Sequence, residues 1–163
     1  MKKLFLSILA IVGVMISMNS QTISENAIGL RLGDSDGFGT EITYQRALGD
    51  INRLEVDLGW RDGKNYNGFK LTGIYQWVWQ LDGNFNWYAG VGGGVGSYSI
   101  DDNVPGFEND NSDTFLFAAG NIGIEYDFDI PLLISLDFRP ELGFGDFRDD
   151  VDFDIALGLR YQF

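Results

Sequence analysis

Residues 154–163, the last ten of the chain, read DIALGLRYQF and alternate strictly between two kinds of side chain. Large apolar residues occupy one phase, namely Ile155, Leu157, Leu159, Tyr161 and Phe163, and the residues between them are polar or small. Alternation with period two places successive side chains on opposite faces of a β-strand. Soluble domains usually end in frayed polar residues. A strand whose apolar stripe runs to the last residue therefore indicates a nonpolar environment at the end of the chain.

The same period recurs in seven earlier stretches, which makes eight predicted strands. The earlier stretches are, in order, AIGLRLG, TEITYQRAL, RLEVDLGW, FKLTGIYQWVW, FNWYAGVGGGV, LFAAGNIGIEYDF and LLISLDFRPEL. Each stretch can reach the roughly 9–11 residues with which a tilted strand crosses a bilayer. The even number of strands is typical of a barrel that crosses a membrane.

The connections between these stretches alternate in length. Polar and mostly long connections at 34–39, 61–68, 97–113 and 142–150 alternate with short turns near Gly49, Gly83 and Pro131. Long loops on one side and short turns on the other indicate an up-and-down meander. The predicted fold is therefore all-β, an eight-stranded antiparallel up-and-down transmembrane β-barrel, with residues 21–163 as its one domain.

Residues 1–20 have the order of a secretory signal peptide. Lys2 and Lys3 precede an apolar run that ends near Met18, and small and polar residues follow. The run is short for a membrane-spanning helix, although an uncleaved anchor is the alternative. The chain has no cysteine, which excludes a lipidated cysteine and a disulfide framework. The sequence predicts an exported protein with a cleaved signal peptide.

Charge and composition exclude several functions. The formal net charge of −13 repels nucleic acid, so no nucleic-acid partner is expected. The chain has no histidine, so a Ser–His base is unavailable. Paired carboxylates such as Glu55 with Asp57 or Asp152 with Asp154 are chemically able to act as acid and base, but ion pairing with nearby basic residues is the favoured interpretation. We expect no enzyme activity, no cofactor and no catalytic or metal-binding residue.

The second face of the strands mixes glycine, alanine and serine with charges of both signs. Eight strands enclose a space that side chains just fill, and buried charges there must be paired. The predicted lumen ion-pair network consists of Arg31, Glu41, Glu55, Asp57, Lys70, Glu125, Asp137, Arg139, Asp152, Asp154 and Arg160. In the alternative, a soluble exported barrel with the apolar stripe inside, the outward face would be polar with few glycines.

The aromatic residues of the apolar stripe fall at two levels. Near the short turns are Tyr75, Trp77, Trp79, Phe85, Trp87, Tyr126, Phe128, Tyr161 and Phe163, and toward the long loops are Trp60, Phe69, Phe115 and Phe153. Aliphatic residues lie between the two levels. Aromatic girdles of this kind mark the two interfaces of a membrane, so we expect the apolar stripe to face lipid.

With these features the chain resembles the small eight-stranded outer-membrane barrels, the OmpA transmembrane domain and OmpX. Its ending, ALGLRYQF, resembles the C-terminal insertion signal of outer-membrane proteins, carried here by Leu159, Tyr161 and Phe163. The resemblance implies a monomer in the outer membrane of a Gram-negative-type bacterium. It also implies contact with outer-membrane lipids and lipopolysaccharide, and with the outer-membrane assembly machinery during biogenesis. Because the sequence stops at strand eight, the peptidoglycan-tethering role of full-length OmpA is not expected.

Two further motifs have simple interpretations. The stretch GVGGGVG (90–96) lacks the third glycine of a nucleotide-binding loop, because Val95 stands in its place, and no helix follows. Packing in the lumen and strand bending explain these glycines better.

The acidic clusters at 101–113 and 148–154 offer oxygen ligands for Ca²⁺ or Mg²⁺ but lack EF-hand spacing. Solvated loops are favoured, and divalent ions that bridge these clusters to lipopolysaccharide remain a hypothesis.

Together these features predict a structural or surface-interaction protein with acidic external loops and a charge-paired lumen. A narrow pore is one alternative, although eight strands leave little open lumen. An adhesin that acts through the 97–113 loop is another. The sequence does not decide among the three.

Overall fold

Eight antiparallel strands form a closed barrel in the computed structural model, which describes residues 23–33, 39–63, 66–100, 112–144 and 151–163. The strands are β1 (Asn26–Leu32), β2 (Thr40–Ala47), β3 (Asn52–Gly63), β4 (Tyr66–Asp82), β5 (Phe85–Ile100), β6 (Ser112–Asp127), β7 (Leu132–Phe144) and β8 (Val151–Gln162). Their order in the chain is also their order around the barrel. The predicted fold class is confirmed. Among the described residues, no helix is long and apolar enough to cross a membrane.

The two ends of the barrel differ in their connections. Short turns at 48–51, 83–84 and 128–131 connect the strands at one end, which we call the turn end. The opposite end is called the loop end. The predicted signal peptide and residues 101–111 and 145–150 of the predicted acidic loops lie outside the described residues.

The C-terminal strand closes the barrel against the first strand. The Asn26 amide donates to the Phe163 carbonyl over 3.1 Å, and the Phe163 amide donates back to the Asn26 carbonyl over 2.9 Å. Further along the pair, Leu30 stands opposite Leu159. Because the last strand pairs with the first, the sheet has no free edge along this seam.

The faces of the strands are reversed relative to a soluble protein. The apolar residues of the terminal stretch point outward. Their exposure ranges from 46% for Leu159 to 61% for Phe163. Most of the large apolar residues of the other strands are also exposed, whereas arginine, glutamate and aspartate side chains fill the interior. Backbone groups in lipid must pair within the protein, and the closed sheet achieves this. An apolar outer band around a polar interior is typical of transmembrane barrels.

Several strands continue into segments that the sequence predicts as loops. Strands β3 and β4 run to Gly63 and from Tyr66, and β5, β6 and β7 extend to Ile100, from Ser112 and to Phe144. The predicted loop boundaries at 61–68, 97–113 and 142–150 were therefore wrong. Polar residues were interpreted as the ends of strands, but backbone pairing continues through them, as in Asp62 opposite Asn67.

Pairing between β6 and β7 is interrupted at a proline. The register passes from Ala119 opposite Glu141 to Ile122 opposite Phe138. Pro140 lies between these pairs and has no N–H to donate to a neighbouring strand.

The interior beside β5 is filled by aromatic rings rather than by charges. Ile74, Phe115, Phe117 and Ala119 form a buried apolar cluster, and the Tyr98 ring stacks on Phe115 at 5.6 Å between centroids. Phe115 is only 1% exposed, so its predicted place in the outer aromatic girdle was wrong.

Glycines on β5 explain this inward orientation. A Cβ atom added at Gly96 would collide with the Phe115 ring, and one added at Gly94 would collide with the Phe117 ring. The rings of β6 therefore lie over the bare backbone of β5. Interior packing accounts for these two glycines of the 90–96 stretch.

Apart from buried Tyr88, most of the other described aromatic residues of the strands line the outer surface at two levels. At the turn end, Trp79 stacks on Trp87 with ring centroids 4.5 Å apart, and Tyr126 contacts Phe128 at 4.6 Å. Toward the loop end, Trp60 is 56% exposed and stands opposite Phe69. The outer band is thus bounded by rings at both ends, as at two membrane interfaces.

Candidate functional site

The candidate site is the charged interior, to which seven of the eight strands contribute charged side chains. Ten residues of the predicted lumen network are at most 2% exposed: Arg31, Glu41, Glu55, Asp57, Lys70, Glu125, Asp137, Arg139, Asp154 and Arg160. The eleventh, Asp152, is half-buried and stands opposite Glu141 on β7. The inward phase of each strand positions these groups, because alternate residues face the lumen.

Arg31 on β1 joins three carboxylates from three other strands. Its guanidinium donates to Glu41 Oε2 over 2.8 Å, to Asp154 Oδ2 over 2.7 Å and to Asp137 Oδ1 over 2.7 Å. A second donor, Nε, also reaches Asp137 over 3.1 Å. The forked donors of arginine suit this kind of shared recognition.

Arg139 on β7 forms a second three-carboxylate centre. Its Nη2 donates to Asp57 Oδ2 over 2.5 Å and to Glu55 Oε1 over 3.1 Å, and its Nη1 donates to Glu41 Oε2 over 3.3 Å. Glu41 therefore contacts both arginines. The two centres form one continuous cluster in the middle of the barrel.

Arg160 on β8 extends the cluster along the strands. It donates to Glu55 Oε2 over 3.0 Å, to Ser135 Oγ over 2.7 Å and to Thr43 Oγ1 over 3.2 Å. Gln45 donates to the same Glu55 oxygen over 2.6 Å. The glutamate thus receives hydrogen bonds from β2, β7 and β8, which fix it tightly.

At the loop-end side of the cluster, Lys70 is the cation. Its Nζ lies 2.9 Å from Glu141 Oε1 and 3.4 Å from Glu41 Oε1. It also lies 5.5 Å from the centre of the Phe117 ring. Lys70 therefore connects the charged cluster to the aromatic cluster beside β5.

Near the turn end, Arg53 pairs with Glu125 over 2.7 Å and receives the face of the Tyr88 ring at 4.8 Å. Arg53 Nε also donates to Gln76, whose amide donates to Asn121 over 2.8 Å. Asn121 in turn donates to Asp137 over 3.4 Å. These amides link the turn-end ion pair to the central cluster.

The sequence prediction missed two charged members of this network, Arg53 and Glu141. Both lie in the same phase as predicted members, since Arg53 is two residues before Glu55 and Glu141 is two residues after Arg139. Both are buried. Both already lie in the polar phase of the predicted strands RLEVDLGW and LLISLDFRPEL, so the alternation alone contained the signal that would have found them.

The interior contacts form one connected network from Lys70 and Glu141 to Arg53 and Glu125. A cavity at the turn-end mouth, beside Arg53 and Glu125, has a volume of about 10 Å³, which is room for one water molecule. The described residues contain no group of three acidic or other metal-binding side chains that is able to hold a metal ion. Chemically, the network cross-links the walls of the barrel.

The three residues of the predicted insertion signal lie on the outside of the barrel. Leu159, Tyr161 and Phe163 are 46%, 57% and 61% exposed, and the rings of Tyr161 and Phe163 stack at 6.3 Å. They form part of the outer apolar band at the turn end. Their role as an assembly signal stays a prediction.

Comparison with known proteins gave matches among solved structures alone. No family model matches the chain, and no curated protein matches it. The N-terminal β-barrel domain of Pseudomonas aeruginosa OprF is 12% identical with a TM-score of 0.64, over 85% of this chain and 95% of that one. Neisserial surface protein A is 12% identical with a TM-score of 0.59, over 85% and 94%.

The attachment invasion locus protein Ail of Yersinia pestis is also similar. It is 16% identical with a TM-score of 0.57, over 86% of this chain and 97% of that one. Ail has also been solved in complex with the heparin analogue sucrose octasulfate. Identities this low establish the architecture alone. This chain has the fold of the small eight-stranded outer-membrane β-barrels.

Proposed function

We propose that this protein resides in the outer membrane of a Gram-negative-type bacterium and serves a structural or surface-interaction role there. The observation that carries the proposal is the reversed distribution of side chains. The closed sheet exposes apolar residues around its circumference and buries a cross-linked set of charges. Such a molecule is stable with lipid around it, and its interior serves as a scaffold.

The orientation follows from the connections. Outer-membrane barrels have short periplasmic turns and longer extracellular loops. The turn end, with Asn26 and Phe163, is therefore the periplasmic side in our proposal. The loop end then faces the cell exterior, and the acidic segments belong to that side.

Strands β4, β5 and β6 support an external role because they are longer than a bilayer needs. They have 17, 16 and 16 residues, whereas roughly 9–11 suffice to cross. Beyond the ring level of Trp60 and Phe69, the pairs Asp62 with Asn67 and Asn67 with Ser99 continue the sheet. This polar extension stands above the membrane and offers a surface to partners.

An open groove on the extension supports contact with lipid headgroups. It has a volume of about 440 Å³ and is lined by Asp62, Asn67, Phe69 and Ser97, among others. Phe69 belongs to the ring level that marks the membrane interface, so the groove lies at headgroup height. Lipopolysaccharide and other outer-membrane lipids, bridged by divalent cations where acidic groups meet phosphates, are the partners we propose.

The decisive test is heat modifiability of the protein in an isolated outer-membrane fraction. We expect the unboiled protein to migrate differently from the boiled protein in a gel, because the closed barrel resists unfolding in detergent. The same sample is checked for fractionation with membranes. A protein that is soluble in the periplasm, or whose migration is unchanged by boiling, would exclude this proposal.

A pore is the second candidate, and the interior argues against it. The connected network and the rings of Phe115 and Phe117 occupy the lumen. We therefore expect planar-bilayer recordings of the purified barrel to lack discrete conductance steps. Regular steps that persist after repurification would favour the pore.

Adhesion through the 97–113 segment is a third candidate, favoured by the strand extension beneath that segment. Residues 101–111 lie outside the described residues. A sulfated polyanion, such as the heparin analogue bound to Ail, fits this chain poorly because its net charge is −13. Deletion of 101–111, followed by binding assays on host-cell surfaces, tests adhesion while heat modifiability reports whether the barrel is intact.

The absence of histidine from the chain supports a non-enzymatic role, since a Ser–His base is unavailable.

We also propose that the barrel is monomeric and contacts the outer-membrane assembly machinery through its C-terminal strand during biogenesis. A crosslinking experiment from position 163 during assembly in cells addresses that contact. Recovery of crosslinks to unrelated envelope proteins alone would contradict it.

A further inference from the structure

The buried charges of the interior do not balance. In the part of the chain that the structure describes, the buried cations are Arg31, Arg53, Lys70, Arg139 and Arg160, and the buried carboxylates are Glu41, Glu55, Asp57, Glu125, Asp137, Glu141 and Asp154. The carboxylates exceed the cations by two. An uncompensated charge is strongly unfavourable in an interior from which water is excluded. The described part of the interior therefore carries two negative charges that its own buried cations do not balance.

Asp57 has little compensating positive charge. Asp137 likewise has one ion pair among the described residues, with Arg31, but both of its oxygens accept hydrogen bonds. Within the described residues, the one ion pair of Asp57 is with Arg139, and that guanidinium also serves Glu41 and Glu55. Glu41 has Arg31 and Lys70 as further cations, and Glu55 has Arg160. Asp57 therefore shares its one cation, Arg139, with two other carboxylates. Glu41 and Glu55 each have at least one further cation.

Half of the Asp57 carboxyl group also has no hydrogen bond. Oδ2 accepts from Arg139, but Oδ1 is buried and has no partner among the described residues. Thr72, the residue directly opposite on β4, likewise has a buried hydroxyl without a partner. Both side chains are fully buried. A bare oxygen on an ionised carboxylate is the most costly way to bury that group.

We infer that Asp57 binds a proton in the folded barrel at neutral pH, on Oδ1, while Oδ2 continues to accept the Arg139 hydrogen bond. The proton converts the bare oxygen into a hydroxyl beside Thr72 and removes one of the two excess negative charges. A metal ion is disfavoured, since no group of three acidic side chains among the described residues is arranged to hold one.

The neighbours of Asp57 define its electrostatic surroundings. Glu55 lies on the same strand, Glu41 on β2, Arg139 on β7 and Arg160 on β8. Two acids and two arginines therefore face the carboxyl group. Thr43 and Thr72, its register partners on β2 and β4, add no charge. A neutral Asp57 leaves this group of four with equal numbers of positive and negative charges.

The test compares Asp57→Asn with Asp137→Asn. Asparagine has the shape of a protonated aspartate, and its amide oxygen is able to accept from Arg139. Asp137 instead binds Arg31 through both oxygens, so its replacement places an amide N–H against a guanidinium N–H. The measurement is urea-induced unfolding of barrels folded into phosphatidylcholine vesicles at neutral pH.

We expect Asp57→Asn to leave the unfolding equilibrium constant within about threefold of the parent value or to lower it. The reason is that the asparagine of the variant and the protonated aspartate of the folded parent are both neutral. Asp137→Asn is expected to raise that constant by about a hundredfold or more, as when one partner of a buried pair is removed. Equal destabilisation by the two substitutions would overturn the proposal.

Two measurements on the parent protein keep the proposal testable even if the variants fold poorly. The infrared spectrum at neutral pH is expected to show the carbonyl stretch of a protonated carboxylic acid, which Asp57→Asn removes. A parent spectrum without that band overturns the proposal. Stability is expected to fall as the pH rises from about 4, the ordinary pKa of an aspartate, to neutral, because over that range the group is protonated only in the folded state. A parent stability that instead depends on the identity of the metal cation, with no acid band, would show that a metal ion supplies the charge.

Discussion

Arg31 and Asp137 lie 106 residues apart in the chain, yet three hydrogen bonds join them across the interior, the shortest of 2.7 Å from Nη2 to Oδ1. They belong to β1 and β7, which are separated in the sheet by β8. The same guanidinium also binds Asp154 on the intervening strand. One side chain therefore holds together the three strands at the seam where the chain closes on itself.

Replacement of Arg31 by methionine should destabilise the barrel severely. It leaves three buried carboxylates with less positive charge, and removal of one partner of a buried pair costs about 3–5 kcal/mol. Urea unfolding in vesicles measures the loss. Arg46→Met is the control, because Arg46 is half exposed at the turn end and pairs there with exposed Glu25. It should change the free energy of unfolding by about 1 kcal/mol or less, and a comparable loss from both variants would contradict this role for Arg31.

Phe115→Ala should cost more than Phe153→Ala, although both remove the same ring. Phe115 is buried against Phe117, so its loss leaves a cavity and costs about 3–5 kcal/mol. Phe153 is 55% exposed on the outer face, where lipid tails fill the vacated space. Its loss should cost only the transfer free energy of roughly 1.5–3 kcal/mol. The two losses are measured as free energies of unfolding in vesicles. A larger loss for Phe153→Ala than for Phe115→Ala would indicate that Phe115 faces outward.

Gly96→Ala and Gly73→Ala should have opposite effects. A Cβ at position 96 collides with the Phe115 ring, whereas one at position 73 meets nothing within 4 Å. Overpacking of an interior costs about 1–3 kcal/mol. Alanine in place of glycine within a strand gains roughly 0.5–1 kcal/mol where space allows. Unfolding midpoints in urea report both changes. A stable Gly96→Ala variant would mean that the Phe115 ring moves freely.

Tyr88→Phe should leave stability unchanged or increase it. The Tyr88 hydroxyl is buried without a hydrogen-bond partner among the described residues, so its removal relieves a desolvation cost. Tyr75→Phe provides the matched control, since the Tyr75 hydroxyl accepts a hydrogen bond from Asn52 over 2.7 Å. That variant should lose about 0.5–1.5 kcal/mol. If Tyr88→Phe proves the more damaging of the two, the hydroxyl has a partner such as a buried water.

Phe163→Ala should impair assembly in cells more than it impairs the stability of barrels that have folded. The backbone of residue 163 keeps both hydrogen bonds to Asn26, and alanine preserves them, whereas deletion of the residue removes them. The readouts are the heat-modifiable fraction in outer membranes and urea unfolding of refolded protein. Phe153→Ala, an outward aromatic away from the terminus, is the control. Normal accumulation of Phe163→Ala in the membrane would refute the signal.

The architecture was predictable because alternation, strand number and turn spacing all agree. Period two separates outward Leu157 from inward Asp154 without knowledge of any contact, and short turns restrict neighbours to antiparallel pairs. The lumen residues followed from the same phase. Arg53 and Glu141 lie in the same polar phase of the predicted strands, but they were not included in the predicted network.

The direction of Phe115 was not predictable from its own segment. Residues 115–119 are apolar without exception, so alternation does not fix their phase there. The phase is decided by Gly94 and Gly96 on the neighbouring strand, which leave room for rings. Pairwise contacts such as Arg139 with Asp57 were equally hidden, because the register between non-neighbouring strands determines which charges meet.

The uneven lining of the lumen has a consequence for how the barrel forms. Rings fill the loop-end side of the lumen beside β5, whereas six of the twelve buried charged residues that the structure describes lie on β7, β8 and β1. Arg31 pairs with Asp137 and Asp154 only after β7 and β8 have joined the sheet. In a partly closed sheet, Arg31 would therefore lack these two partners if water were excluded from the lumen. Dehydration of the lumen and joining of the chain ends must then occur together. An intermediate in which β1 and β8 are not yet paired would keep hydrated charges between these strands. We therefore expect barrel closure and dehydration of the lumen to occur in one cooperative step.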